Sequence, residues 1–259
     1  MGRRLRWIER HLLPHGWADL GRQIALFAGA VTLYNLVRGL VGTGNPYKPF
    51  SDAMRIIDFE RATHIFVEPS INAWAQSKHL LIDATDWIYL NGHFFVTLGV
   101  LAFIYVRRND SFYFVRNVVM VSMALALIGY WLYPTAPPRD FHEWGFTDSV
   151  SQFMTGGFGF IDYGPAKAFT NFYAAVPSMH VCFALIIGLS MSRLVRRRVA
   201  KVLWCTYPLL VTFVVVATAN HYFTDVFLGA VTAGISAVLA HRLLARARPE
   251  AWAFGAATA

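Results

Sequence analysis

Two short stretches carry residue types that perform phosphate chemistry when they are brought together. Residues 174–180 read Ala-Ala-Val-Pro-Ser-Met-His and run directly into the apolar stretch Val181–Met191. Pro177 at a first helical position, followed by Ser178 and His180, sets two polar groups on the opening turn of a helix. The N–H groups of such a turn lack helical acceptors, and the positive end of the helix dipole favours an anion. Further along, Ala-Asn-His-Tyr-Phe-Thr-Asp at 219–225 precedes another apolar run. With Tyr222–Asp225 helical, His221 and Asp225 are neighbours on one face.

A phosphate ester between two such helix mouths needs a nucleophile, a proton donor and charge neutralisation. His221, held in one tautomer by Asp225, can attack phosphorus through its other ring nitrogen and carry the phosphoryl group as phosphohistidine. His180 can protonate the leaving alkoxide, a contribution of roughly 10²–10⁴ in rate. Ser178 and the N–H groups beside it suit an oxyanion, although the same serine is equally suited to capping the helix. Arg139 offers a bidentate fork for phosphate oxygens. No metal and no cofactor is required. No Gly-x-Ser-x-Gly elbow surrounds Ser178, which argues against a serine hydrolase.

The elements that must position these groups follow from composition. Of the 259 residues 56% are hydrophobic and only 15% charged. Such a balance, with apolar runs of about 20 residues recurring, marks an all-α polytopic membrane protein. The net charge of +8 lies beside apolar runs, the pattern of membrane topology rather than of nucleic-acid binding. Cys182 and Cys205 fall inside predicted spans and toward opposite faces, which does not suit a disulfide. The basic start leads through a polar stretch into a full-length span, unlike a cleavable signal peptide.

Residues 1–22 form a basic interfacial segment, in which Arg3, Arg4, Arg6, Arg10 and Arg22 interleave with Trp7 and Trp17. Residues 23–248 read as a single six-span catalytic domain, and 249–259 as a tail. The predicted spans are 24–41, 87–106, 112–133, 177–194, 199–218 and 223–244. Residues 43–85 contain an amphipathic helix that lies in the interface or packs on the bundle. The long segment 134–175, with Gly156-Gly157-Phe158-Gly159-Phe160, reads as an ordered lid.

Six spans put both termini on one side. Arg and Lys in 1–22, 107–108, 193–201 and 242–248 account for fifteen of the 23 in the chain, all on that side. The preference for basic loops inside makes it cytoplasmic. The mouths at His180 and His221, and the segment carrying Arg139, then share the external face. Charge and motif lead to the same face independently.

Tyr89, Asn91 and His93 sit toward the external end of the second span. His93 lies roughly 10 Å along that helix from its mouth. Tyr89 and His93 are candidates for substrate contact, since an ionisable residue inside a span is a functional candidate by default. Two other readings compete. A non-catalytic transporter predicts polar groups near the bilayer midplane, whereas these concentrate at one face. A metal-dependent hydrolase would use His93, His180, His221 and Asp225 as ligands.

These residues resemble the signatures of the type 2 phosphatidic acid phosphatase superfamily, membrane lipid phosphatases and phosphotransferases related to vanadium haloperoxidases. Its patterns are Lys-x6-Arg-Pro, Pro-Ser-Gly-His and Ser-Arg-x5-His-x3-Asp. Pro177-Ser178-Met179-His180 resembles the second, and His221-x3-Asp225 the end of the third. Tyr133-Pro134-Thr135-Ala136-Pro137-Pro138-Arg139 is similar to the first element as found in the inositolphosphotransferase branch, which includes fungal inositol phosphorylceramide synthases. The chain departs from the patterns at Leu132, Asp140, Met179, Val214 and Val215, so two cationic phosphate contacts of the family are missing. The resemblance covers about 133–230 well and the rest of the span layout loosely. It implies His221 as nucleophile, His180 as acid, a metal-independent mechanism and a lipid phosphate or phospholipid substrate, with water or a polyol such as inositol as acceptor. The expectation is an integral protein of the plasma membrane with its site outside; oligomeric state stays open.

Overall fold

The structure is a computed structural model that describes residues 13–40, 45–154, 173–244 and 246. The first twelve residues of the basic segment, the Gly-rich run at 156–160 and the tail 249–259 lie outside the described residues. Among the described residues the chain is all-α, with no strand and one backbone bridge between Thr135 and Ala174.

Five helices are long and apolar enough to cross a membrane. They are α1 (Gly16–Leu40), α4 (His79–Arg107), α5 (Asn109–Leu132), α7 (Arg198–Ala217) and α8 (Phe223–Leu244). Two amphipathic helices, α2 (Lys48–Ala62) and α3 (Glu68–Gln76), lie between α1 and α4. The sixth apolar helix, α6 (Met179–Leu194), has 16 residues. At 1.5 Å per residue it covers about 24 Å, shorter than a typical hydrocarbon core. α1 begins at Gly16, so the end of the basic segment is already helical. α4 begins at His79, earlier than the apolar pattern alone indicates, and turns through a π-type step at Ile88–Gly92. That step contains Tyr89 and ends immediately before His93.

The bundle packs α6 against α5, α7 and α8 around Val115, Val119, Met123, Cys182 and Ile187. α1 is peripheral and turns Ile24, Leu33 and Leu40 outward, as a lipid-facing helix would. Its polar groups go inward: Gln23 receives a hydrogen bond from Arg116, and Asp19 accepts from Tyr105 Oη at 3.0 Å. Arg116 also donates to Asn117, which satisfies a guanidinium inside an apolar helix. Cys182 is buried, Cys205 exposed, and both are free thiols.

The amphipathic segment packs on the bundle. Asn72 Nδ2 donates to the Ala217 carbonyl at 2.8 Å, and the Ala136 N–H donates to the Pro49 carbonyl at 3.1 Å. Thus α2 and α3 cover one end of the bundle, where Phe50, Phe141 and Tyr173 meet edge to face. Within the long segment, residues 138–140 and 142–144 form single 3-10 turns and Ser149–Phe153 a short helix. Alternation of the helices places the start of α6, the start of α8 and the segment after α5 at this same end, with Arg107, Arg193 and Arg198 at the other.

Candidate active site

The start of α6 differs from the sequence expectation by two residues. Helical geometry begins at Met179, Ser178 occupies the cap position with φ −67° and ψ 106°, and Pro177 precedes it after a cis bond. The Ser178 carbonyl accepts the Cys182 N–H at 3.0 Å, while its side chain makes no capping bond. Ser178 is fully buried and its Oγ has no partner among the described residues. A buried hydroxyl without a partner is costly, so this one is better suited to a ligand than to a cap.

Two glycines clamp this segment. A Cβ on Gly229 would collide with the Ser178 carbonyl oxygen, and one on Gly129 would lie 2.7 Å from Pro177 Cδ. The close approach joins α8 to the mouth of α6, and the Ser178 N–H donates to the Asp225 carbonyl at 3.1 Å.

His221 sits in the turn between α7 and α8. Its neighbour Ala219 takes a positive φ of 53° while fully buried, a left-handed conformation that non-glycine residues adopt at a cost. The turn brings the Ala219 carbonyl to the Arg139 N–H at 2.9 Å, and the Arg139 guanidinium donates to Asn220 Oδ1. The cation is thereby fixed next to His221.

Nδ1 of His221 lies 3.3 Å from Asp225 Oδ2, which also accepts the Tyr222 N–H at 3.0 Å. An oxygen already accepting from a backbone N–H is an acceptor for the imidazole too, which puts the ring proton on Nδ1 and leaves Nε2 with a lone pair. Burial, then the charges of Arg139 and Arg38, push His221 down to about 3. The ring is therefore neutral at physiological pH, as a nitrogen nucleophile must be.

Across from it, the His180 ring lies 5.9 Å from that of His221, centroid to centroid. Tyr89 stacks on His180 at 4.4 Å, and the His93 ring is 5.3 Å from the His180 ring. Nδ1 of His93 meets Tyr207 Oη at 2.9 Å, while its Nε2 has no partner among the described residues. All seven residues singled out in the sequence thus gather at one place. Ser178, His93, His221 and Asp225 are buried; Tyr89, Arg139 and His180 are half-buried and form the side of approach. Among the described residues no three His, Cys, Asp or Glu are arranged to hold a metal ion, and His93, His180, His221 and Asp225 form no such group.

Several contributors escaped the sequence analysis. Arg38 reaches inward from α1 to lie 5.9 Å over the Tyr130 ring, and Tyr130 Oη donates to the Pro177 carbonyl at 3.4 Å. A lone arginine in an apolar span was the available signal. Asn220 and Tyr207 gave none, because their partners are distant in sequence. Glu60 and Glu68 are fully buried beneath the mouth of α8. Their carboxylates accept the Thr224 N–H at 2.6 Å and the Phe223 N–H at 2.9 Å. With Tyr222 bonded to Asp225, the opening N–H groups of α8 are occupied by the protein's own carboxylates. Among the described residues the mouth of α6 has no such plug: the first-turn donors at Met179, His180 and Val181 have no intrahelical acceptor.

A family model described as the PAP2 superfamily matches residues 54–239, which include the clamp, both histidines and the aspartate. No curated protein and no solved structure matches the chain. The match singles out no branch of the superfamily, the inositolphosphotransferase branch included. It supports a phosphatase-type function on lipid phosphates in a membrane. A helical membrane bundle, with these motifs meeting at one end and a match across most of its length, places this chain in the PAP2 superfamily.

Proposed function

We propose that this protein is an integral-membrane lipid phosphatase or phosphotransferase working through a phosphohistidine on His221. Nε2 of His221 attacks phosphorus, the bond from phosphorus to the lipid oxygen breaks, and His180 gives that oxygen a proton. Water or an alcohol then attacks the phosphohistidine, passes its proton to His180, and returns both rings to their starting states. Asp225 holds the tautomer of His221, Arg139 neutralises the phosphate, and Ser178 with the α6 N–H groups binds its oxygens. Tyr89 and His93 border the leaving group or the acceptor. The steps require no metal.

The observation that supports this most is the grouping of the His221–Asp225 pair, the His180 ring 5.9 Å away, and Arg139 tied to Asn220 beside the nucleophile. Counting α6 as a sixth span, the charge pattern supports a reading with both termini in the cytoplasm and the site on the external face of the plasma membrane. A polyol such as inositol is the acceptor in the transferase form, and water in the phosphatase form.

Purified protein in detergent or vesicles, given a panel of phosphatidates, prenyl phosphates and phospholipids with and without a polyol, tests the proposal. Wild type releases phosphate or forms a new lipid and His221→Ala does neither; turnover by both, or by neither, overturns it. Retention of full activity in strong chelator is expected, and loss would favour a metal-dependent hydrolase.

A further inference from the structure

We propose that Glu60 and Glu68 are positioning residues for the His221–Asp225 pair, acting as one acid–carboxylate unit that shares a single proton and closes the first turn of α8. The inference rests on the role given to His221 above. Both side chains are fully buried, and each spends one oxygen on a backbone donor of the turn that follows His221. Their second oxygens, Glu60 Oε2 and Glu68 Oε2, have no donor among the described residues, and the two carboxyls lie against each other. A proton between them satisfies both oxygens at once and leaves one negative charge facing the helix dipole instead of two. Burial, then the hydrogen bond and charge of Glu60, push Glu68 up to about 8.

The titratable groups that feel the pair are Tyr222 and Asp225 at the opening of α8. Neither is a cation, so a second ionisation meets no counter-charge from these groups. Above about pH 8 two carboxylates repel beneath Phe223 and Thr224. The turn that sets the His221–Asp225 angle then loosens without either catalytic group being touched.

The test compares Glu68→Gln and Glu68→Ala with wild type across pH 6–10. The amide of Glu68→Gln still accepts the Phe223 N–H and donates to Glu60, so it imitates the protonated acid. Wild-type kcat falls as pH rises through about 8, while Glu68→Gln keeps neutral-pH kcat within about threefold and lacks that alkaline limb. Glu68→Ala loses about tenfold or more in kcat with KM little changed. An unchanged alkaline limb in Glu68→Gln, or wild-type kcat in Glu68→Ala, overturns the proposal. Infrared difference spectra against Glu68→Gln read the proton without turnover. A carboxylic-acid carbonyl band present at pH 6 and lost above pH 8 is expected, and its absence overturns the shared proton whatever the activity. That band together with no lipid-phosphate turnover would support the proton and overturn the function proposed above.

Discussion

The two helix mouths that look alike in sequence are opposites in the fold. Each begins an apolar helix, and each is marked by a histidine. At α6 the serine in the cap position has no partner for its hydroxyl among the described residues, and the first-turn donors have no helical acceptor. At α8 Glu68, Glu60 and Asp225 take the N–H groups of Phe223, Thr224 and Tyr222. Among the described residues one mouth is left open, as the proposed anion site requires, and the other is filled. The filled mouth presents a ring nitrogen instead, with Arg139 brought in by the turn before it to supply the positive charge. A helix start is thus an anion site only where the fold leaves its donors unspent.

Disabling each mouth in turn gives the largest effects. His221→Ala removes the proposed nucleophile and is expected to reduce lipid-phosphate turnover to background. His180→Ala loses about 10²–10⁴ on a lipid substrate and much less on an aryl phosphate, whose leaving group needs no proton. Steady-state kinetics on the two substrates check this, and equal losses on both would remove His180 from the acid role.

Arg139 supplies the cation that the filled mouth cannot supply from its own dipole. Arg139→Ala is expected to lower kcat/KM by about 1.5–3 kcal/mol, roughly ten- to a hundredfold, with Arg139→Lys recovering part of it. The same kinetics applied to both variants decide the point.

Prying the mouths apart should act on stability as well as rate. Gly229→Ala drives a methyl into the Ser178 carbonyl, a backbone atom that cannot swing away, and is expected to cost about 1–3 kcal/mol. Thermal unfolding in detergent measures it. Gly129→Ala presses on Pro177 from α5 and should show a smaller loss, because the α6–α8 contact survives.

At neutral pH the smallest effect is protonic, and it grows only as the medium is acidified. His221 is held at about 3 in the fold and titrates near 6.5 when unfolded. Between those values the unfolded chain binds a proton that the folded chain does not, so stability falls as pH drops from about 6.5 toward 3 and is fully present above 6.5. Melting curves of wild type against His221→Gln should diverge only on the acid side.

Much of this was legible in the sequence because local patterns carry it. Apolar run length gives the long helices, and the i, i+4 spacing puts His221 beside Asp225. Basic residues between helices place the mouths at one end. The remainder depends on contacts remote in sequence. Nothing near Glu60 or Glu68 indicates that they meet Thr224 and Phe223, and nothing near Asn220 indicates Arg139. The short amphipathic helices left two readings, interface or bundle, which only packing separates. The helix start at His79 does not show in the apolar pattern because its first turns are partly polar, and the α6 start falls two residues after the expected one because Pro177 precedes the cap instead of opening the helix.

Rapid quenching of His180→Ala during turnover of a labelled aryl phosphate addresses the nucleophile most directly. The good leaving group lets the first step proceed, whereas the second lacks the base that activates water, so the covalent form should accumulate. An acid-labile, base-stable phosphoryl group mapped to His221 is the expected result. Label on Ser178 instead, or phosphate released with no label on the protein, would contradict a nucleophilic imidazole at 221.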